Sequence, residues 1–333
     1  MSRFDPSALD RRSFLKGAAA GLVFLPHADL SKLDFRAARR VTQVAVIRTS
    51  SRQEGVRRAM ALLAPTGMAG KRVVLKPNFN SADAAPASTH DDTVKQLVRE
   101  LQERDARSIT LGESSGPRGT VSVLDAKGTR DLGRDLGFDV VNFDEIADSD
   151  WVPFSPPGTH WPEGYHLPRL VTDAEYLVST CCLKTHGSGG VFTMSMKLAV
   201  GLTPRPIRRP MHQSPDMRRM IAELNQGYRP DLVVMDGVEV FTDGGPSRGT
   251  LKQANVTIAG TDRVAVDAVG VAILKELGSN DAIMGKPIFE QEQIARAVEV
   301  KLGVQSPSEI ALVSDDVDGR AYADKVGAIL AQG

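Results

Sequence analysis

The chain has 333 residues with 41 basic and 41 acidic side chains, a formal net charge of zero. Setting aside residues 1–36 removes six basic and four acidic side chains and leaves 35 against 37, so no broad positive field marks a nucleic-acid or membrane-surface partner. The only two cysteines are adjacent, Cys181 and Cys182, which excludes a disulfide scaffold and a four-cysteine zinc or iron–sulfur site built from one chain.

The first signal along the chain is Arg11-Arg12-Ser13-Phe14-Leu15-Lys16, followed by a short apolar run over 17–25. The pattern resembles a twin-arginine export signal, with Asp10 standing where that signal usually has Ser or Thr. It implies a periplasmic or otherwise exported protein that folds before transport, with the twin-arginine translocation machinery as a partner. A basic N-terminal helix is the alternative. The apolar run is shorter than the roughly 20 residues of a membrane span, so no stable span is expected. Residues 1–38 are set apart as signal and linker, and 39–333 as a single α/β domain.

Apolar, β-branched runs then alternate with amphipathic segments. Strands are predicted over 41–48, 71–76, 108–112, 138–143, 176–180, 232–235, 256–259 and 310–313. Helices are predicted over 52–63, 91–104, 120–136 with a break near Gly128, 191–200, 215–224, 263–277 and 291–302. Strands separated by helices imply an α/β fold with a mostly parallel sheet covered on both faces. The stretch 144–170 carries five prolines, both tryptophans, His160 and His166, and reads as an irregular insertion whose histidines face solvent.

In such sheets ligands bind beyond the carboxyl ends of the strands. The loops there are rich in glycine and polar residues: Lys76-Pro77-Asn78-Phe79-Asn80, Gly112-Glu113-Ser114-Ser115-Gly116, Cys182-Leu183-Lys184-Thr185-His186-Gly187, and Asp236-Gly237-Val238-Glu239. With Thr89-His90, Met196-Lys197, Gly245-Pro246 and a helix opening Asp262-Arg263-Val264-Ala265-Val266-Asp267, their joint order resembles the domain of unknown function 362 family over residues 70–277. Many members of that family carry a ferredoxin-like cysteine cluster that this chain lacks. Members also tend to have Asn after the helix lysine, where this chain has Leu198. The resemblance implies no settled reaction.

Read chemically, Lys76 ends a buried strand, where a cation needs a partner or an anionic ligand. Residues two apart on a strand share a face, which places Cys182, Lys184 and His186 together. They suit a nucleophile, a charge stabiliser and a general base, or thiolate and imidazole ligands to a metal, or a structural cysteine beside capping groups. Gly187-Ser188-Gly189-Gly190, ahead of the helix expected over 191–200, offers backbone N–H groups to an anion, with Lys197 closing the charge. The expected ligand contacts are thus Lys76, Asn78, Glu113, Gly189 and Lys197. Asp236, with His90 or His186, is a candidate for a divalent metal, while His90 near a helix start also suits a cap. Asp262 is expected to cap the helix after it. The basic stretch 204–219 favours an anionic ligand or is a solvated loop.

Three functions remain open at this level: an exported enzyme acting on a small anion, a non-catalytic ligand-binding protein, and a cofactor-maturation or electron-transfer component. No dinucleotide glycine fingerprint follows the first strand, so a nicotinamide enzyme is not expected. Ser114 in Gly-Glu-Ser-Ser-Gly makes a serine hydrolase a minor alternative.

Overall fold

Alternation along the strands decides the layers. In β1 (Thr42–Arg48), Val44 and Val46 enter one core while Ala45 and Ile47 enter another, because successive strand residues point to opposite faces. The computed structural model describes residues 41–332 except Pro117. The twin-arginine segment lies outside the described residues.

β2 (Arg72–Lys76), β3 (Ser108–Glu113) and β4 (Asp139–Asn142) follow β1. β5 (Trp151–Phe154) and β6 (Tyr165–Pro168) make a separate two-stranded sheet. β7 (Tyr176–His186), β8 (Val191–Thr193), β9 (Leu232–Gly244), β10 (Gly249–Gly260) and β11 (Ile310–Val313) complete the main sheet. Its order is β11-β1-β10-β9-β7-β2-β3-β4, with β8 added on β7. Five of its eight pairings are parallel, which bears out the mostly parallel α/β expectation. The exception near the centre is β10, antiparallel to both β1 and β9.

Helices cover both faces. Arg52–Leu63 starts where the Ser51 side chain accepts the Glu54 N–H, and Asp91–Glu103 starts where His90 accepts from Asp92. The stripe Val94, Leu97, Val98 and Leu101 of the second helix is wholly buried in the core under β1, β2 and β3. Each such side chain contributes about 1.5–3 kcal/mol by leaving water. On the opposite face lies Arg263–Glu276, apolar on nearly every side and capped by Asp262, as its sequence predicts. The C-terminal helix Val317–Leu330 packs beside it and is absent from the sequence-based expectations.

Four expectations need correction. β7 runs on to His186, and β9 with β10 form a long hairpin, not two short strands. The outer half of that hairpin carries Glu239, Asp243 and Lys252 and so resembles a loop in sequence, while Gly244 and Gly245, both at positive φ, make its turn. The helix expected over 191–200 is replaced by β8 and a 3-10 helix, Met196–Leu202. The 144–170 insertion is not irregular, since β5 and β6 pair with Pro153 opposite His166, and a two-stranded sheet has only edges, where proline is tolerated. Lastly, the basic stretch after Pro204 is a helix, Arg205–Gln213, despite Pro206 and Pro210.

Candidate functional site

The carboxyl ends of β2 and β3, the outer half of β7, the 3-10 helix and Arg205–Gln213 enclose a cavity of about 510 Å³. Three lysines (76, 184, 197), three arginines (205, 208, 209), His186 and His212 line it against a single carboxylate, Glu113.

That carboxylate is already committed. Lys76 and Glu113 end adjacent parallel strands, and Lys76 Nζ lies 2.7 Å from Glu113 Oε1. The same oxygen accepts the Ser114 N–H at 2.8 Å, and Oε2 accepts the Phe79 N–H at 2.7 Å. Both side chains are about 2 % exposed, so the pair ties two loops together from inside. Burial pulls the Lys76 pKa down against the pull of Glu113.

Lys184 and His186 reach the cavity as the strand alternation predicts, but Cys182 does not join its wall. The Cys182 thiol is fully buried, and burial pushes its pKa up to about 11 despite Lys184. It is therefore a protonated, enclosed thiol, which removes it as nucleophile or thiolate ligand. Lys184 Nζ donates to Ala87 O at 2.6 Å and Pro246 O at 3.1 Å, and burial lowers its pKa to about 8. Lys197, half-buried on the 3-10 helix, has no hydrogen-bond or ion-pair partner among the described residues. Burial, then Lys184, brings its pKa to about 7.

The two histidines are fixed in opposite tautomers by the backbone. Gly190 N–H donates to His186 Nδ1 at 3.2 Å, so the proton of neutral His186 sits on Nε2. Burial, then Lys197, pushes the His186 pKa down to about 2, which keeps it a neutral hydrogen-bond donor. His212 Nδ1 lies 2.7 Å from the Arg208 carbonyl, which only accepts, so His212 Nδ1 donates and Nε2 carries the lone pair. The general base expected at His186 is thus better matched by His212, at the solvent-exposed mouth. His212 is recognisable in sequence only as one member of a basic stretch.

Arg208 is the second residue whose place the sequence does not reveal. Its guanidinium donates to Ser114 Oγ at 2.6 Å and Ser115 O at 2.9 Å, roofing the cavity. Burial lowers its pKa to about 10. Ser114 Oγ also bonds Asp144, and with arginine and aspartate as its partners it has no histidine base, so the serine-hydrolase alternative falls. Among the described residues, the buried Asn78 Nδ2, Ser115 Oγ and Thr193 Oγ1 of this wall have no hydrogen-bond partner.

Other expected site residues lie elsewhere. Residues 187–190 turn β7 into β8, with Gly189 at a φ of +85°, so no helix start exists there to hold an anion. The Gly189 carbonyl instead accepts from Arg218 at 2.9 Å. Asp236 is not in the cavity wall; its carboxylate is held by Arg52 at 2.6 Å and by the Val238 N–H. His90 caps its helix. The Asp236–His90 metal pair is therefore not assembled, and among the described residues no three His, Cys, Asp or Glu side chains are grouped to hold a metal. Asp267 accepts the Ser195 and Met196 N–H groups at 2.8 and 3.0 Å, anchoring the 3-10 helix that carries Lys197. His160, expected in solvent, bonds the buried Glu223 at 2.7 Å.

These features define an α/β protein with a cationic cavity at the carboxyl edge of its sheet. Residues 73–272 match the family model described as domain of unknown function (DUF362), and the chain belongs to that family. It is 25 % identical over 250 residues to the thylakoid-associated protein sll1697 of Synechocystis sp., covering 71 % of this chain and 75 % of that protein. Among solved structures it is similar to the lactate racemase apoprotein from Thermoanaerobacterium thermosaccharolyticum at a TM-score of 0.45 and 12 % identity, over 86 % of this chain and 87 % of that one. Among the described residues no helix is long and apolar enough to cross a membrane.

Proposed function

We propose that this chain is an exported enzyme acting on a small organic anion held in the cationic cavity. The observation that carries the reading is the charge imbalance of the wall: six lysines and arginines line it against one carboxylate, which is bound to Lys76, and of the others Arg205 is paired with Asp144 behind the wall. Lys184 and Lys197 have no carboxylate partner among the described residues, a buried cation in that state is costly, and an anionic ligand removes the cost. The unpartnered Asn78, Ser115 and Thr193 groups offer further hydrogen bonds to its oxygens. His212 Nε2 supplies a proton acceptor at the mouth, and His186 Nε2–H a neutral donor.

Calorimetric titration with small carboxylates and inorganic phosphate tests the anion site. Saturable binding is the expected result, and no heat from any of them at low ionic strength sinks the reading. For export, the support is the Arg11-Arg12 segment. Its test is replacement of both arginines by lysine, which should strand a folded, reporter-tagged chain in the cytoplasm.

A further inference from the structure

Of the three lysines in the cavity, two are held and one is not. Lys76 is bound to Glu113 and the Pro77 carbonyl, and Lys184 to the carbonyls of Ala87 and Pro246. Lys197 has no such bond among the described residues. Its backbone is nonetheless anchored. The 3-10 helix beneath it hangs from the fully buried Asp267, and its Cε lies 3.2 Å from the point where a Cβ on Gly190 would stand, beside His186 Nδ1 at 2.9 Å from that point. The ε-amino group is thus presented to the cavity on a rigid support, next to a neutral imidazole.

Resting on the anion-site reading, we infer that Lys197 is a covalent amine site that forms an imine with a small 2-oxo acid. The carboxylate of such a compound satisfies the surrounding cations, and its adjacent carbonyl carbon is an electrophile suited to a lysine nitrogen. The step balances without an oxidant. The nitrogen lone pair forms the C–N bond, the carbonyl oxygen takes up a proton, and the C–O bond of the resulting carbinolamine then breaks. Both hydrogens of the amine leave with that oxygen as water. The lysine must be neutral to begin; burial and the cation of Lys184 on β7 bring its pKa to about 7, and of the other titratable groups on the same cavity wall Arg208 is a cation while His186 and His212 are neutral.

The experiment is reductive trapping on the whole chain. Glyoxylate, pyruvate and 2-oxoglutarate are each added with cyanoborohydride, and the modified peptides are mapped by mass spectrometry. The expected result is a saturable adduct on Lys197, at least tenfold above any other lysine, with a yield that rises between pH 6 and 8. The Lys197→Arg variant, shown folded by circular dichroism, should lose the adduct. Absence of an adduct on Lys197 with all three probes overturns the inference, as does equal labelling of surface lysines or an adduct that persists in Lys197→Arg. Calorimetry with the same probes and with inorganic phosphate separates the two readings. Binding without an adduct leaves the anion site standing and removes the imine, whereas no binding and no adduct removes both.

Discussion

His186 and His212 lie 6.3 Å apart, centroid to centroid, with opposite hydrogen-bonding polarity. A backbone N–H fixes one as a donor toward the cavity and a backbone carbonyl fixes the other as an acceptor. A proton acceptor and a proton donor thus flank one volume without either histidine being charged.

From this, His212→Asn should lower kcat by about 10²–10⁴-fold, the usual contribution of a positioned base, while KM changes less. The ring is only partly covered at the cavity mouth and bonds its own helix, so thermal unfolding should change little. Burial holds the His212 pKa below its ordinary value, so the acid limb of the wild-type rate should have its midpoint below about pH 6.5. Equal kcat in variant and wild type would remove His212 from the chemistry.

Anion affinity should fall as pH rises. Lys197 loses its proton near pH 7 and Lys184 near pH 8, and each loss subtracts a positive charge from the wall. A bound anion favours the ammonium forms, so binding in this range takes up protons by linkage. Titration in buffers of different ionisation enthalpy reads that uptake directly, and proton release on binding would contradict the assignment.

Glu113→Ala leaves Lys76 buried without its partner and two loop N–H groups unsatisfied. Breaking a buried pair from one side costs about 3–5 kcal/mol. Chemical denaturation should show a loss of that size, and the apolar double change Lys76→Met with Glu113→Leu should recover part of it. A neutral result for the single variant would mean that water already solvates this pair.

Cys182 should be inert in the native protein. Its thiol is enclosed and protonated, so Ellman's reagent should react at neutral pH only after denaturant is added. Fast native labelling would restore the nucleophile reading.

The reach of the sequence can be seen residue by residue. The layers were legible because alternation in β1 and the helical stripe from Val94 to Leu101 are local periodicities. Lys76, Lys184 and His186 were legible as cavity residues because strand ends in an α/β sheet point to one edge, whereas Lys197 reaches the cavity from a 3-10 helix where a longer helix was expected. Asp236 shows the limit of that rule. It carries the same signal, yet Arg52, 184 positions away, takes its carboxylate. Helix Arg205–Gln213 was hidden by its prolines and arginines, which read as loop. The roles of His186 and His212 depend on which backbone group each ring meets, and no spacing in the chain encodes that.

The lysines of the cavity and its arginines have different origins. Lys76 and Lys184 rise from the central strands β2 and β7, whereas Arg205, Arg208, Arg209 and His212 all belong to one nine-residue helix laid across the opening. The sheet thus supplies two fixed cations and the His186 donor, and a single short helix supplies the arginines and the His212 acceptor. On the proposed function, ligand preference would diverge by rewriting that helix while the strands β2 and β7 keep their packing.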